Sequence, residues 1–433
     1  MKLSKLHIDQ YRHLENLDFD FTYPMDFHDE TKRGKPLDKI CFIGQSATGK
    51  TSLLDIIHDK YEKFIGIGLE QKQKIYSDIE LFGFSDLKCI ITFNTDDREL
   101  KIAFNKIIAD GVEFKKSNEG GNFNRLTGYF EEENKLFYFK AGLISNNNLN
   151  IFNQHPSDLN EKFRDKLITS SFFKKQKINI FDDNVSDDRW LVLLEEYISY
   201  NKKFSQKMSE LIHKGLIADT KKLEKEFKIW EKENPKTLSK FADLFNPILN
   251  NLNLEVDLIN TEYPIPLKDK RTDSIIPIKD SSTGTKGLLL SFLPLFNTET
   301  KDSIVLIDEP ERSLFPDIQM DLMDYYQNLA PEAQFIIATH SPFIAASFEP
   351  CERFILYFDE EGKVAVRQGT SPIGDDPNDL LSNDFKIDYI NKFGHQKFQE
   401  YIDLKQKVYF EKDEKRKEEY LEKLEKLGDQ YNF

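Results

Sequence analysis

The chain has 433 residues, 39% hydrophobic and 31% charged, with a formal net charge of −15. That length allows one to three domains with a sizeable core, while the acidic balance excludes a globally basic nucleic-acid binder and the lack of any run of about 18 apolar residues excludes a membrane-spanning helix. The N-terminus has no secretory apolar segment and Cys41, Cys89 and Cys351 are scattered, so a cytoplasmic protein without disulfides, zinc or a membrane partner is expected.

Leu6 and Ile8, then Leu17, Phe19 and Phe21, alternate at strand spacing around a turn near His13–Asn16. Tyr11 and Arg12 lie between these two strands. Residues 22–37 are polar, with Pro24, Gly34 and Pro36, and form a loop. Lys39–Ile43 is apolar and β-prone, as a buried strand should be. It runs into Gly44-Gln45-Ser46-Ala47-Thr48-Gly49-Lys50-Thr51, the pattern G-x-x-x-x-G-K-T, and the apolar residues of Ser52–Ile57 then recur at helical spacing. A glycine loop between strand and helix curls backbone N–H groups around a polyphosphate at the positive end of the helix dipole. Lys50 is placed to reach the outer phosphates and the Thr51 hydroxyl to ligate Mg²⁺. Gly44 through Ser52 are therefore the candidate nucleotide-binding residues.

Residues 60–80 read as helical. Residues 87–108 read as a hairpin with a turn at Asn94–Asp97, Gly111–Asn124 as a loop, and Leu136–Phe139 as a strand. Residues 142–160 are rich in asparagine. From 156 to 250 the pattern changes. Trp190, Leu191, Leu194, Tyr197, Ile198, Phe204, Met208, Leu211 and Ile212, then Leu223, Phe227 and Trp230, recur at helical spacing, which predicts a helical insertion whose aromatic stripe is helix–helix packing. Two basic stretches, Phe172–Lys177 and Lys221–Lys222, read better as solvated helix faces than as nucleic-acid contacts.

Strand–loop–helix order returns after the insertion. Leu254, Val256 and Leu258 share one face of a strand over Leu254–Ile259. Asp280–Gly287 is a small polar loop before an apolar helix, Leu288–Leu295. Ser282 and Gly284 just before a helix can bind a phosphate through N–H groups and the dipole. A chain that already has its own phosphate loop gains from a second one if it caps the nucleotide of another subunit. Ser303–Ile307 is a buried strand that ends in Asp308-Glu309, the acid pair a phosphate loop requires. Asp308 holds Mg²⁺ through water and Glu309 polarises the attacking water. An amphipathic helix, Ile318–Leu329, precedes the strand Gln334–Thr339, and His340 at its end can hydrogen-bond a γ-phosphate. Arg353–Phe358 and Lys363–Arg367 form a hairpin. The tail, 378–428, is helical, with Gly428 as its stop.

Taken together, Gly44–Thr51, Ser282–Lys286, Ile304–Glu309 and His340 resemble the Walker A, signature, Walker B and switch-histidine motifs of ABC-type ATPases, in the RecF/SMC/OLD-like branch. Glu311–Pro316 resembles that branch's D-loop, and Tyr11-Arg12 its N-terminal element with an arginine near nucleotide. The resemblance implies an α/β P-loop NTPase head with a mixed sheet core, an antiparallel β subdomain and a helical insertion. Its expected divisions are 1–155 and 251–370 for the two halves of the head, 156–250 for the insertion and 371–433 for a helical tail. It implies an ATPase using ATP and Mg²⁺, with two copies meeting head to tail so that Ser282, Gly284 and Lys286 of one reach the γ-phosphate held by the other. The branch's metal-contacting glutamine is assigned to Gln154, with Gln71 and Gln73 as alternatives. The signature departs from the family by beginning at Ser281 instead of a leucine. The resemblance also implies a role: a sensor in anti-phage defence that controls a separate nuclease or toxin, because the 93 residues after His340 carry no nuclease motif. The alternatives are a DNA repair or recombination ATPase that binds DNA, and an ABC transporter subunit.

Overall fold

The computed structural model describes residues 1–73, 88–95, 98–103, 106–115, 134–164, 175–386 and 392–431. The predicted helix beyond residue 73, most of the 111–124 loop, and Phe172–Lys174 of one basic stretch lie outside them. The chain divides into two compact units, Met1–Gly374 and Asp375–Phe433.

In the first unit, β1 (Lys2–Tyr11) and β2 (Leu14–Asp20) form an antiparallel hairpin. β3 (Lys39–Gly44) leads through the glycine loop into helix α1 (Lys50–Gln73). β4 (Lys88–Thr95), β5 (Arg98–Ala103), β6 (Lys106–Ala109) and β7 (Val112–Lys115) extend the hairpin into a six-stranded sheet of order β2-β1-β4-β5-β6-β7. β7 falls where a loop was expected. Asp110 and Gly111, both at positive φ (49° and 77°), make a two-residue turn of the kind that closes hairpins, an Asp-Gly signal passed over in favour of the polar composition around it.

β8 (Leu136–Phe139) is followed by helices α2 (Asn146–Asn150) and α3 (Pro156–Arg164). β9 (Ile178–Phe181) lies inside the segment read as helical and pairs with β8 in parallel. Four residues are too few to interrupt a helical periodicity reading; the exposed edge of β8 is what selects the strand. Helices α4 (Asp187–His213), α5 (Thr220–Glu233) and α6 (Thr237–Asn250) follow; Tyr200 and Phe204 of α4 meet Phe227 and Trp230 of α5, and Tyr197 of α4 meets Phe241 of α6. A small sheet, β10 (Leu254–Val256), β11 (Leu267–Asp269) and β12 (Ser274–Ile276), precedes α7 (Thr283–Phe296). The predicted strand to Ile259 thus stops at Val256, and Gly284–Gly287, expected in a loop, are helical.

β13 (Ile304–Asp308), α8 (Pro316–Leu329), β14 (Gln334–Thr339), the short α9 (Pro342–Ala345), β15 (Arg353–Phe358) and β16 (Val364–Gln368) complete the unit. The central sheet has seven strands in the order β16-β15-β3-β14-β13-β8-β9, with β16 alone antiparallel to its neighbour. β3, β14, β13 and β8 are buried on both faces, which explains their unbroken apolar runs. Alternation assigns the faces. Leu306, Ile336 and Phe354 pack with α1 and the antiparallel sheet, where Phe19, Phe21, Phe42 and Phe354 form one ring cluster. Phe335 faces the other way, onto Tyr326 of α8, and Tyr326 meets Phe292 of α7. The expected α/β class with a mixed sheet and an antiparallel subdomain is therefore observed.

The second unit contains α10 (Pro377–Asn383), α11 (Lys392–Phe410) and α12 (Glu414–Tyr431), and the last two pack together. α12 runs through Gly428 instead of stopping there; one glycine costs a helix only about 1 kcal/mol.

Candidate functional site

Strand register decides which side chains meet. Ile43 pairs with Thr339, Ala338 with Asp308, and Ile307 with Phe139. The carboxyl ends of β3, β14, β13 and β8 are thereby level, and the crevice beyond such ends is where open α/β sheets bind ligands.

The glycine loop is held in an unusual shape. Gly44 lies against β15, and a Cβ there would stand 2.3 Å from the Leu356 carbonyl oxygen. Gly49 has φ +94° and packs on Leu14, while Ala47 has φ 67°. Thr48 is fully buried and its hydroxyl donates to the Gln45 carbonyl at 2.8 Å. Gln45 and Ser46 are exposed at the loop tip. Lys50, 7% exposed, turns its ammonium back onto the carbonyls of Gly44 (2.8 Å) and Gln45 (3.0 Å). Burial pushes its pKa down to about 8, against the pull of Asp308, Glu309 and Glu311. A phosphate would offer that ammonium a stronger acceptor than two neutral carbonyls.

The Thr51 hydroxyl donates to Asp308, with oxygens at 3.0 and 3.2 Å. Asp308 is 9% exposed. Burial, with Glu309, Asp55 and Glu311 nearby, pushes its carboxyl up to about 6 in spite of the Thr51 bond. A hydroxyl and a crowded buried carboxylate facing each other are the oxygen donors Mg²⁺ prefers, and a cation there would relieve the crowding, so these residues fit the metal.

Glu309 follows the strand at φ 53°, its N–H bonded to the Ala338 carbonyl at 2.9 Å. Among the described residues its carboxylate makes no hydrogen bond, which leaves it available as a base. His340 is exposed at the end of β14; burial and Lys50 lower its pKa while Glu309 opposes, so the three lie within electrostatic reach. Glu311 is the residue that motif reading left as part of a loop. Its Oε1 accepts the His340 N–H at 2.7 Å, its Oε2 is buried without a partner, and burial raises its pKa. The signal was present as a second acid two residues after Glu309, but its contact with His340 needs the sheet.

The remaining candidates divide. Arg12 (φ 54°) reaches the first turn of α1, where its guanidinium stands 3.4 Å from the Ser52 hydroxyl. Ser282 caps α7, accepting the Thr285 N–H at 3.1 Å, and is exposed with Thr283. Gly284 is buried: a Cβ there would lie 2.5 Å from the Ser313 carbonyl oxygen and 2.9 Å from Leu314. Its bareness thus has a reason inside the chain. Lys286 is half-buried one turn into the helix. A small cleft of 50 Å³ joins Gly284 and Gly287 to Asp308 and Glu309. Gln154 lies apart from this group: its side chain accepts from Lys162 at 2.6 Å and lies 3.4 Å from the Asn150 carbonyl. Lys140, the residue just beyond β8 and one past the Phe139–Ile307 pair, lines the same cleft as Asp308. The side chains of Gln71 and Gln73 lie outside the described residues.

One stability prediction arises here. Gly284→Ala should destabilise the fold by about 1–3 kcal/mol through overpacking against Ser313, although alanine favours a helix by about 1 kcal/mol. Denaturant unfolding measures it, and a more stable variant would contradict the close approach.

The family profile described as an AAA ATPase domain matches residues 1–345. Among solved structures the chain is similar to an SMC head bound to the C-winged helix domain of ScpA, at 15% identity over 85% of this chain and 97% of that one, with a TM-score of 0.41. It is similar to the SMC head domain from Thermotoga maritima at 10% identity, over 86% and 100% of the two chains, with a TM-score of 0.41. The SMC head with an extended coiled coil bound to the C-terminal domain of ScpA, derived from Pyrococcus furiosus, gives 13% identity, 85% and 96% coverage, and 0.38. No curated protein matches the chain in sequence. Among the described residues no helix is long and apolar enough to cross a membrane.

Proposed function

The chain belongs to the AAA ATPase domain family, and from that premise we propose that it binds ATP at Gly44–Ser52, hydrolyses it with Glu309 as base, and does so between two copies of itself. The observation that carries this reading is the meeting of Lys50, Thr51, Asp308, Glu309 and His340 at the level ends of three parallel strands. Mg²⁺, held by Thr51 and Asp308, would supply charge neutralisation at the phosphates. The chain's own groups do the rest. The loop N–H groups and Lys50 bind and orient the phosphates, and Glu309 takes a proton from the attacking water. His340 donates toward the terminal phosphate. Arg12 lines the entrance through Ser52.

The second copy is supported by Ser282 and Thr283, exposed at the N-terminus of a 14-residue helix whose first N–H groups suit an anion. Gly284, packed on Ser313, serves to set that end in place. Phosphate release from ATP by the purified chain, with and without Mg²⁺, tests the hydrolytic half of the proposal. Sedimentation with and without ATP tests the dimer. The cellular role we assign, regulator of a separate nuclease or toxin in anti-phage defence, is supported by the motif resemblance and by an acidic charge that disfavours the DNA-repair alternative. Co-purification of the chain with the product of its neighbouring gene tests that role.

Glu311 is proposed as a positioning residue that ties the acid loop to His340. Glu311→Ala should cost about 0.5–1.5 kcal/mol of stability, the net worth of one hydrogen bond, here the one from the His340 N–H, and lower kcat more than it raises KM for ATP. Glu311→Gln keeps an acceptor for that N–H and should recover most of the stability. Equal kinetics for both variants and the parent would reject the role.

A further inference from the structure

We propose that the chain holds a second anion site, remote from the glycine loop, in which Lys135 and Arg189 bind a compact oxyanion of the phosphate class. A cavity of 230 Å³ lies beside the edge strand β9 and the amino end of β8, lined by Lys135, Asn179, Phe181, Arg189, Asn297 and Glu299 among others. Lys135 directly precedes β8, and its carbonyl accepts the N–H of Ile304 where β13 begins. Five extended residues separate Lys135 from Lys140 at the carboxyl end, about 16 Å. Lys135 therefore lies at the opposite end of these strands from Asp308.

Lys135 is the reason to expect a ligand. The residue is 6% exposed and lines the cavity, and its ammonium makes no hydrogen bond or ion pair among the described residues. Burial pushes its pKa down, and the one carboxylate that opposes this, Glu299, is exposed and accepts the Lys301 N–H. An ammonium that faces the cavity with no protein acceptor, on a side chain otherwise buried, gains a partner when an anion arrives. Arg189 presents a second cation in a fixed pose. Its guanidinium lies over the Phe181 ring at 4.6 Å and donates to the side-chain oxygens of Gln176 and Asn179. A planar guanidinium beside an ammonium matches a tetrahedral oxyanion better than either cation alone. The volume equals several waters at about 30 Å³ each, enough for phosphate or a small phosphate ester.

The test uses the full chain carrying Lys50→Ala, which weakens phosphate uptake at the glycine loop. Acetylation of Lys135 is followed by peptide mass spectrometry in inorganic phosphate and in chloride of matched ionic strength. Phosphate should protect Lys135 several-fold, and Lys135→Met in the same background should lower phosphate affinity by calorimetry about tenfold or more, the worth of one charge-assisted hydrogen bond. Ribose 5-phosphate replaces inorganic phosphate in a parallel arm. Protection by both assigns an esterified phosphate, and protection by the free ion alone assigns inorganic phosphate. Equal acetylation of Lys135 in both phosphates and in chloride overturns the site, whether or not Lys135→Met folds. None of these readouts depends on ATP turnover, so the proposal stands or falls apart from the ATPase reading.

Discussion

Glu309→Gln should reduce ATP turnover by about 10²–10⁴-fold, the usual contribution of a positioned general base, while leaving ATP affinity close to the parent's. Glutamine preserves the shape of the side chain and its ability to accept a hydrogen bond, but it cannot take a proton at neutral pH. The backbone at this position argues that the pose is set. Glu309 sits at φ 53°, and its N–H is fastened to β14 through the Ala338 carbonyl. A non-glycine residue in that region is uncommon and persists where the surroundings impose it. Its carboxylate has no hydrogen bond among the described residues, whereas Asp308 is bonded to Thr51 and Glu311 to the His340 N–H. Of the three acids it is the one left with a free carboxylate to accept a proton from water. If ATP joins two copies, a variant that binds but does not cleave should also accumulate as a dimer. Phosphate release and sedimentation in ATP and Mg²⁺ check both halves. Unchanged turnover would sink the assignment and make Glu311 the next candidate base.

Lys50→Ala should instead weaken binding. Truncating one partner of a buried charge pair costs about 2–5 kcal/mol, or roughly 30-fold to several-thousand-fold in Kd. Lys50 is the cation closest to the loop carbonyls, and Asp308, Glu309 and Glu311 all act on it. Without it, a polyphosphate would meet three acids and no ammonium. The loop backbone is held independently by Gly44 against Leu356 and by the Thr48 hydroxyl, so the fold should survive. Titration with a fluorescent ATP analogue measures the loss, and unchanged circular dichroism separates it from unfolding. A Kd within about twofold of the parent's would mean that the backbone N–H groups carry the affinity alone.

These variants separate binding from chemistry, and Glu311 and Gly284 probe the scaffold beneath both. Glu311 links β13 to β14 through one hydrogen bond, so its loss should reach His340 without touching the glycine loop. Gly284 links α7 to the loop after Glu309 through a close backbone approach. The same small cleft joins Gly284 to Asp308 and Glu309.

Much of this site is legible in the chain alone because its chemistry is written locally. A strand, a glycine loop and a helix are contiguous at Lys39–Ile57, and an apolar run ends in two acids at Ile304–Glu309, so period and composition suffice to find them. The doubly buried strands of the central sheet betray themselves the same way. What escaped were features whose energy comes from distant partners. β9 forms because β8 offers an unpaired edge, and β7 because Asp-Gly at 110–111 turns the chain back onto β6. The glycine of the second phosphate-like loop is required by Ser313 across the fold, and Lys140, one residue past the Phe139–Ile307 pair, shares a cleft with Asp308. By itself the sequence singled out the groups suited to phosphate chemistry: Lys50, Thr51, Asp308, Glu309 and His340. Only the tertiary structure decided that they share one end of one sheet, that Glu311 holds His340, and that Lys135 lies buried at the opposite end. Residue type and local spacing specify a chemical group, whereas burial and pairing depend on strands that are hundreds of residues apart in the chain.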